Sequence, residues 1–221
     1  MLVRTSSNNG LKAQSGLPSE LANQDAVWSE VKYGGRSEIF GEAKPADYVY
    51  WLRESAVRTH KLLSDGRRQI SAFHLPGDIF GVENGEVHRF TAEAIVDTTV
   101  WIANRRSLFA GLSKDDIRTA KNVRDLISRT LEHIDNHLRQ NSLEKVAAFL
   151  AEMDRRLVQP TVIVLPMSRR DIADYLRLTL ETVSRALSTL RDKGIISFIG
   201  QTHREIVLHN RAGLAQRANL S

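Results

Sequence analysis

Residues 167 to 198, MSRRDIADYLRLTLETVSRALSTLRDKGIISF, hold two short helical patterns separated by only four residues, RLTL. Two amphipathic helices joined so tightly cannot run on as one rod, and each must bury its apolar stripe beside the other. Ser168 is a capping residue for the first helix, which runs to about Leu176. The second starts near Thr179 and continues to about Lys193, where Gly194 ends it. In the second helix Val183, Ala186, Leu187 and Leu190 form the inward stripe. Thr179, Leu180, Glu181, Ser184, Arg185 and Ser188 are left on the outward side.

The flanks extend this unit. PTVIVLP at 160–166 reads as a short strand bracketed by prolines, and IISFIGQTHREIVLHN as a two-stranded hairpin turning near Gly200. Strand, helix, turn, helix and hairpin in that order describe a winged helix-turn-helix. Glu181 and Arg185 are four positions apart, the spacing of an ordinary ion pair on a helix surface. In a helix-turn-helix the same positions lie where side chains meet base edges. There Arg can donate two hydrogen bonds to guanine and Glu can accept one from cytosine.

Charge is distributed unevenly. From Ser168 onward there are 9 Lys and Arg against 5 Asp and Glu, so +4 of the chain's net +5 sits in its last quarter. Such an excess suits a polyanionic partner and equally suits a solvated basic surface.

The rest of the chain predicts an α+β fold with four parts. Residues 1–24, rich in Ser, Asn, Gly and Gln, read as a flexible tail. Residues 25–112 alternate strand-like runs with turns: DYVYWLRES, AVRTHKLL, the turn SDG, RRQISAFHL, PGD, and FTAEAIVDTTVWIANR as one further strand. That spacing predicts a β-roll, sandwich or barrel. Residues 113–140 read as a long helix, capped at Ser113 with Asp115 and Asp116 behind it. Its narrow seam of Ile117, Ala120, Ile127, Leu131, Ile134 and Leu138 suits pairing with a second copy of the chain. Residues 141–221 form the winged helix-turn-helix domain, opening with a helix SLEKVAAFLAEMDRR capped at Ser142.

Several chemistries are excluded or disfavoured. The chain has no cysteine, which removes disulfides, thiolate metal sites and iron–sulfur ligation by Cys. No apolar run approaches a membrane span, and the opening residues lack a secretory core, so a cytoplasmic protein with no membrane partner is expected. His133 and His137 have the spacing of a metal pair but no third ligand nearby. His60, His74 and His88 lie singly on different elements, so a cupin-like metal enzyme is only a remote alternative. There is no G-x-S-x-G elbow and no P-loop. The expectation is no catalytic residue, no metal and no cofactor.

SRRDIADYL, LTLETVSRALSTLRDKGII and the wing resemble the Crp/Fnr family of bacterial transcription regulators, and ETVSR is similar to its Fnr and FixK-type branches. The resemblance implies that residues 25–112 form a cupin-like β-roll, a sensor- or effector-type domain, and that Glu181, Ser184 and Arg185, with Leu180 beside them, read bases. It places Ser168, Arg169, Arg170, Thr179, Thr182 and His203 on the DNA backbone. Arg177 stands where relatives often have Gly at positive φ, and either reaches a phosphate or is simply tolerated there. The partners implied are double-stranded DNA, RNA polymerase and a second copy of the chain. Nucleotide-binding members carry a Gly-Glu and an Arg-Ser pair in the roll. Here Gly81 is followed by Val82 and Arg89 by Phe90, which argues against a cyclic nucleotide. The resemblance therefore implies a FixK-like activator of genes for low-oxygen respiration or nitrogen fixation. It would bind a TTG...CAA inverted repeat without a small effector; a ligand-gated regulator or a repressor is the alternative.

Overall fold

The computed structural model describes residues 27–83, 85–109, 141–157, 161–200 and 202–218. The tail and the 113–140 helix, with its seam, its Ser113 cap, His133 and His137, lie outside them. Contacts divide the chain into two compact units, 1–61 with 71–131 and 62–70 with 132–221.

Eight strands form two four-stranded sheets, all in the first unit except Leu62 and residues 68–70. These are β1 (Trp28–Tyr33), β2 (Glu38–Phe40), β3 (Tyr48–Glu54), β4 (Val57–Leu62), β5 (Arg68–His74), β6 (Ile79–Phe80), β7 (Thr91–Ala94) and β8 (Thr98–Asn104), followed by a short helix α1 (Arg105–Phe109). The sheet orders are β1-β8-β3-β6 and β2-β7-β4-β5. Period-2 alternation sends Tyr50, Leu52 and Val100 to one face, where they meet Phe40, Val57 and Ala92 of the other sheet in a shared core. The opposite face of the first sheet buries Val49, Trp51, Ile79 and Trp101 with Leu108 of α1. Trp51 and Trp101 are direct cross-strand partners and their rings meet edge to face.

FTAEAIVDTTVWIANR, expected as one strand, is two. Ile95 to Asp97 turn between β7 and β8, and the Asp97 carboxylate accepts from Gly35 N at 2.8 Å. The apolar Ile95 and Val96 hide this turn from a pattern reading. At Gly81 the backbone has φ +78, and a Cβ there would lie 2.6 Å from the Tyr50 ring, so only glycine fits.

The second unit contains α2 (Ser142–Leu157), β9 (Val162–Val164), α3 (Arg169–Leu176), α4 (Leu180–Asp192), β10 (Ile196–Ile199), β11 (Glu205–Leu208) and α5 (Arg211–Arg217). Its sheet has the order β10-β11-β9, with β11 antiparallel to both neighbours. The expected stripe of α4, Val183, Ala186, Leu187 and Leu190, is buried. Phe149, Leu150 and Met153 of α2 and Ile172 and Leu176 of α3 are buried as well, and α2, α3 and β10 all touch α4. The cap of α2 differs from expectation. Asn141, not Ser142, accepts from Leu143 N and Glu144 N at 3.0 Å, and Glu144 reaches back to Asn141 N at 2.9 Å. Asn and Ser are equally good capping types, and only the return bond from Glu144 selects the earlier one. The short α5 was not expected; its Gly213 weakens any helical signal.

Candidate nucleic-acid interface

Two caps set the entry of the paired helices. At Ser168 the hydroxyl accepts from Asp171 N at 3.2 Å, while the Asp171 carboxylate accepts from Ser168 N at 2.9 Å. At Thr179 the hydroxyl accepts from Thr182 N at 3.1 Å and lies 2.8 Å from the Thr182 hydroxyl. Each such cap contributes about 1 kcal/mol and settles where its helix begins. Between them Arg177 has φ +56 and donates its N–H to Ala173 O, closing α3 in the left-handed conformation. Leu178 N also reaches Ala173 O, at 3.0 Å. A non-glycine residue there costs about 1 kcal/mol.

Arg177 has a partner that sequence reasoning missed. With the Gln69 amide oxygen turned toward it, that oxygen accepts from Arg177 Nε at 3.0 Å and Nη2 at 2.7 Å. Next to Gln69, Arg68 donates to Asp171 at 2.6 Å and to Asp174 at 2.8 and 3.0 Å. Burial alone would lower the Arg68 pKa, but the hydrogen bonds and charges of Asp174 and Asp171 hold it above the ordinary arginine value. Asp171, only 4% exposed, is thus matched by a cation as well as by its cap. No local signal could have found these pairs, because the partners are more than a hundred residues apart.

The outward positions of α4 lie as expected. Leu180, Glu181 and Arg185 are exposed, and Thr182 and Ser184 half-buried. Glu181 and Arg185 are joined at 2.5 Å with most of both side chains in solvent. Exposed apolar Leu180 beside them is suited to a thymine methyl group. Arg170 is exposed as well.

Ser168, Arg169 and His203 meet on one cavity of about 390 Å³, together with Arg204, which sequence reasoning passed over. Its floor is the apolar core at Met167, Ile172 and Leu187. Arg169 is not an extended surface cation. Its guanidinium lies 5.2 Å from the Phe198 ring centre, its Nε is shielded without a partner, and burial lowers its pKa. His203 stands on the other side of the wing turn, its ring 5.0 Å from that of Phe198.

In the first unit, the segment after Gly81 ties its charges together. Buried Glu83 accepts from Arg89 N at 3.3 Å and Arg89 Nε at 3.2 Å, and His88 Nδ1 lies 3.6 Å away. Arg105 donates to the backbone oxygens of Glu83 and Gly85. His88 stacks on Phe40 at 3.6 Å, and His74 meets Thr59 at 3.3 Å, so these two histidines serve packing and internal hydrogen bonds. Among the described residues no three His, Cys, Asp or Glu are grouped to hold a metal, and no helix is long and apolar enough to cross a membrane.

A family model for the Crp-like helix-turn-helix domain matches residues 144–217, and one for the cyclic nucleotide-binding domain matches residues 30–115. The nitrogen fixation regulation protein FixK of Azorhizobium caulinodans is 39% identical over 198 residues, covering 86% of this chain and 79% of that protein. FixK of Rhizobium meliloti is 42% identical over 160 residues, covering 72% and 74%. The solved structure of FixK2 from Bradyrhizobium japonicum aligns with a TM-score of 0.79 at 50% identity, over 86% of this chain and 96% of that one. These relatives are regulators, not enzymes, which sets aside the cupin-like enzyme. With its helix-turn-helix unit and its roll both matched, the chain belongs to the Crp/Fnr family of transcription regulators, in the FixK-type branch.

Proposed function

We propose that this chain is a cytoplasmic, effector-independent activator that binds an inverted repeat TTG...CAA as a homodimer and recruits RNA polymerase to genes of low-oxygen respiration or nitrogen fixation. The observation that carries the reading is the exposed Glu181–Arg185 pair at the start of α4, flanked by exposed Leu180. Arg185 reads the guanine of the half-site, Glu181 accepts from a neighbouring base and steadies Arg185, and Ser184 completes the set. Ser168, Arg169, Arg170, Thr179, Thr182 and His203 serve the backbone. Arg177, held by Gln69 at the end of α3, is counted with them as a backbone contact.

Effector independence is supported by the roll's own charge pairing. Glu83 takes two hydrogen bonds from Arg89, and Phe90 stands where nucleotide-binding relatives have a hydroxyl. The dimer is supported by the Ile117 to Leu138 seam in the sequence. The process regulated is inferred from the names of the FixK relatives.

Footprinting on a pool of random duplex DNA with no added effector tests the reading. The expected result is protection of a two-fold site with TTG in each half. A footprint appearing only when a cyclic nucleotide is added would overturn effector independence and establish the ligand-gated alternative. Transcription with purified polymerase from a promoter carrying the site upstream should rise; a fall would make the protein a repressor.

A further inference from the structure

The geometry points to Phe198 as a positioning residue for DNA binding: its ring holds Arg169 of α3 and His203 of the wing so that both close on one backbone phosphate. The inference rests on the DNA-binding reading above and adds to it a residue that need not touch DNA.

Three observations converge on Phe198. Arg169 would ordinarily spread into water as the first residue of a helix, yet its guanidinium lies against the Phe198 face at 5.2 Å. That contact limits its freedom, and a shielded Nε without a partner shows that the side chain is held despite an unmet hydrogen bond. On the same ring sits His203, whose φ of +53 is an unfavourable backbone state for a non-glycine residue. Such a state persists where neighbouring contacts maintain it, and the tilted contact with Phe198 is one of these. Around the stack, Ser168, Arg169, Thr202, His203 and Arg204 rim a cavity of about 390 Å³ over an apolar floor. Donors of this kind, with the N-terminus of α3 beside Ser168, suit a phosphate diester. Phe198 itself is half-buried on β10 and offers no hydrogen bond. Its contribution is to restrict two donors before the duplex arrives, which lowers the ordering cost of binding.

The test measures affinity of the full chain for duplex DNA carrying one uncharged methylphosphonate at a time. In wild type, one backbone position per half-site should weaken binding through loss of this grip. Arg169→Ala and Phe198→Leu should each lower affinity roughly three- to thirtyfold, the range expected of a cation–aromatic contact. Their losses should be less than additive, and the same methylphosphonate should then have no effect in either variant. Phe198→Tyr should restore both the affinity and the phosphate sensitivity. Arg169→Lys, which keeps the charge but not the planar group, should fall between wild type and Arg169→Ala.

If Phe198→Leu keeps full sensitivity at that phosphate, or if the two losses simply add, the positioning role is overturned. Equal loss of sensitivity at every phosphate, with a lowered unfolding midpoint, would also overturn it by showing a purely structural residue. Wild-type protein with no salt-dependent affinity for any duplex would instead remove the DNA-binding reading, and this inference with it.

Discussion

Arg185 and Glu181, the pair proposed to read bases, supply little stability. Joined at 2.5 Å but largely exposed, they give the helix a few tenths of a kcal/mol at most. In the proposed role their value would lie in direction: a guanidinium tethered by a carboxylate one turn earlier presents its fork in a fixed plane. Arg185→Ala should therefore cost about 1–3 kcal/mol at a TTG site and relax preference at the guanine. Glu181→Ala should act at the same or the adjacent pair, with losses that do not add. Binding across single-base variants checks this, and equal losses on every variant would contradict it. Arg68 makes the opposite case, a residue whose worth is structural. Removing it takes the Arg68 guanidinium away from buried Asp171 and from Asp174, so Arg68→Ala should destabilise the second unit by about 1–3 kcal/mol. Urea unfolding followed by far-UV circular dichroism reads the loss; an unchanged midpoint would show that the ion pairs contribute nothing net. The two cases also mark what sequence can reveal at this scale. Glu181 and Arg185 are legible because a helix places residues four apart on one face. Arg68 and Phe198 are not, because their meaning depends on what the fold brings against them.

Elements were legible where their signals are local. The paired helices announce themselves through apolar period, the Ser168 and Thr179 caps, and Gly194 at φ +67, and their observed bounds match that pattern. Strand ends in the roll are less so, since the turn at Ile95 to Asp97 is held by a distant Gly35 N–H instead of by turn residues. The segment between β6 and β7 carries a property the pattern conceals entirely. His88, 1% exposed, is held neutral below the ordinary histidine range by burial, and Arg105 acts the same way against the opposing pull of Glu83 and Asp47. The unfolded chain then binds a proton more readily than the folded roll. Stability of the roll is complete above about pH 6.5 and falls as pH drops below it, by at most about 1.4 kcal/mol per pH unit from this one group. All three tryptophans, Trp28, Trp51 and Trp101, lie in the roll, so their fluorescence reports its unfolding selectively. The denaturation midpoint should fall from pH 7 to pH 5, and His88→Gln should flatten that dependence. A wild-type midpoint that rises on acidification would refute the assignment.

At the scale of the whole molecule, the proposed function calls for two copies acting together. One helix-turn-helix reads only a few base pairs, too few to select promoters; two related by a two-fold axis double the site and fix its spacing. In that reading the basic excess after Ser168 would supply affinity that any duplex shares, and α4 the choice among duplexes. In the proposed assembly the copies would join through the seam expected at Ile117, Ala120, Ile127, Leu131, Ile134 and Leu138, a narrow apolar stripe in the sequence interrupted at Arg124. Ile127→Asp or Ile134→Asp would set carboxylates against each other in that seam, a burial of like charge that costs several kcal/mol. Sedimentation should then show a monomer. The loss on DNA should be selective, because each unit keeps its own contacts and forfeits only the linked second binding event. Affinity for the full inverted repeat should fall to near that for a single half-site, with half-site binding itself little changed. A variant that sediments as an undisturbed dimer and binds the repeat normally would move the dimer interface away from this helix.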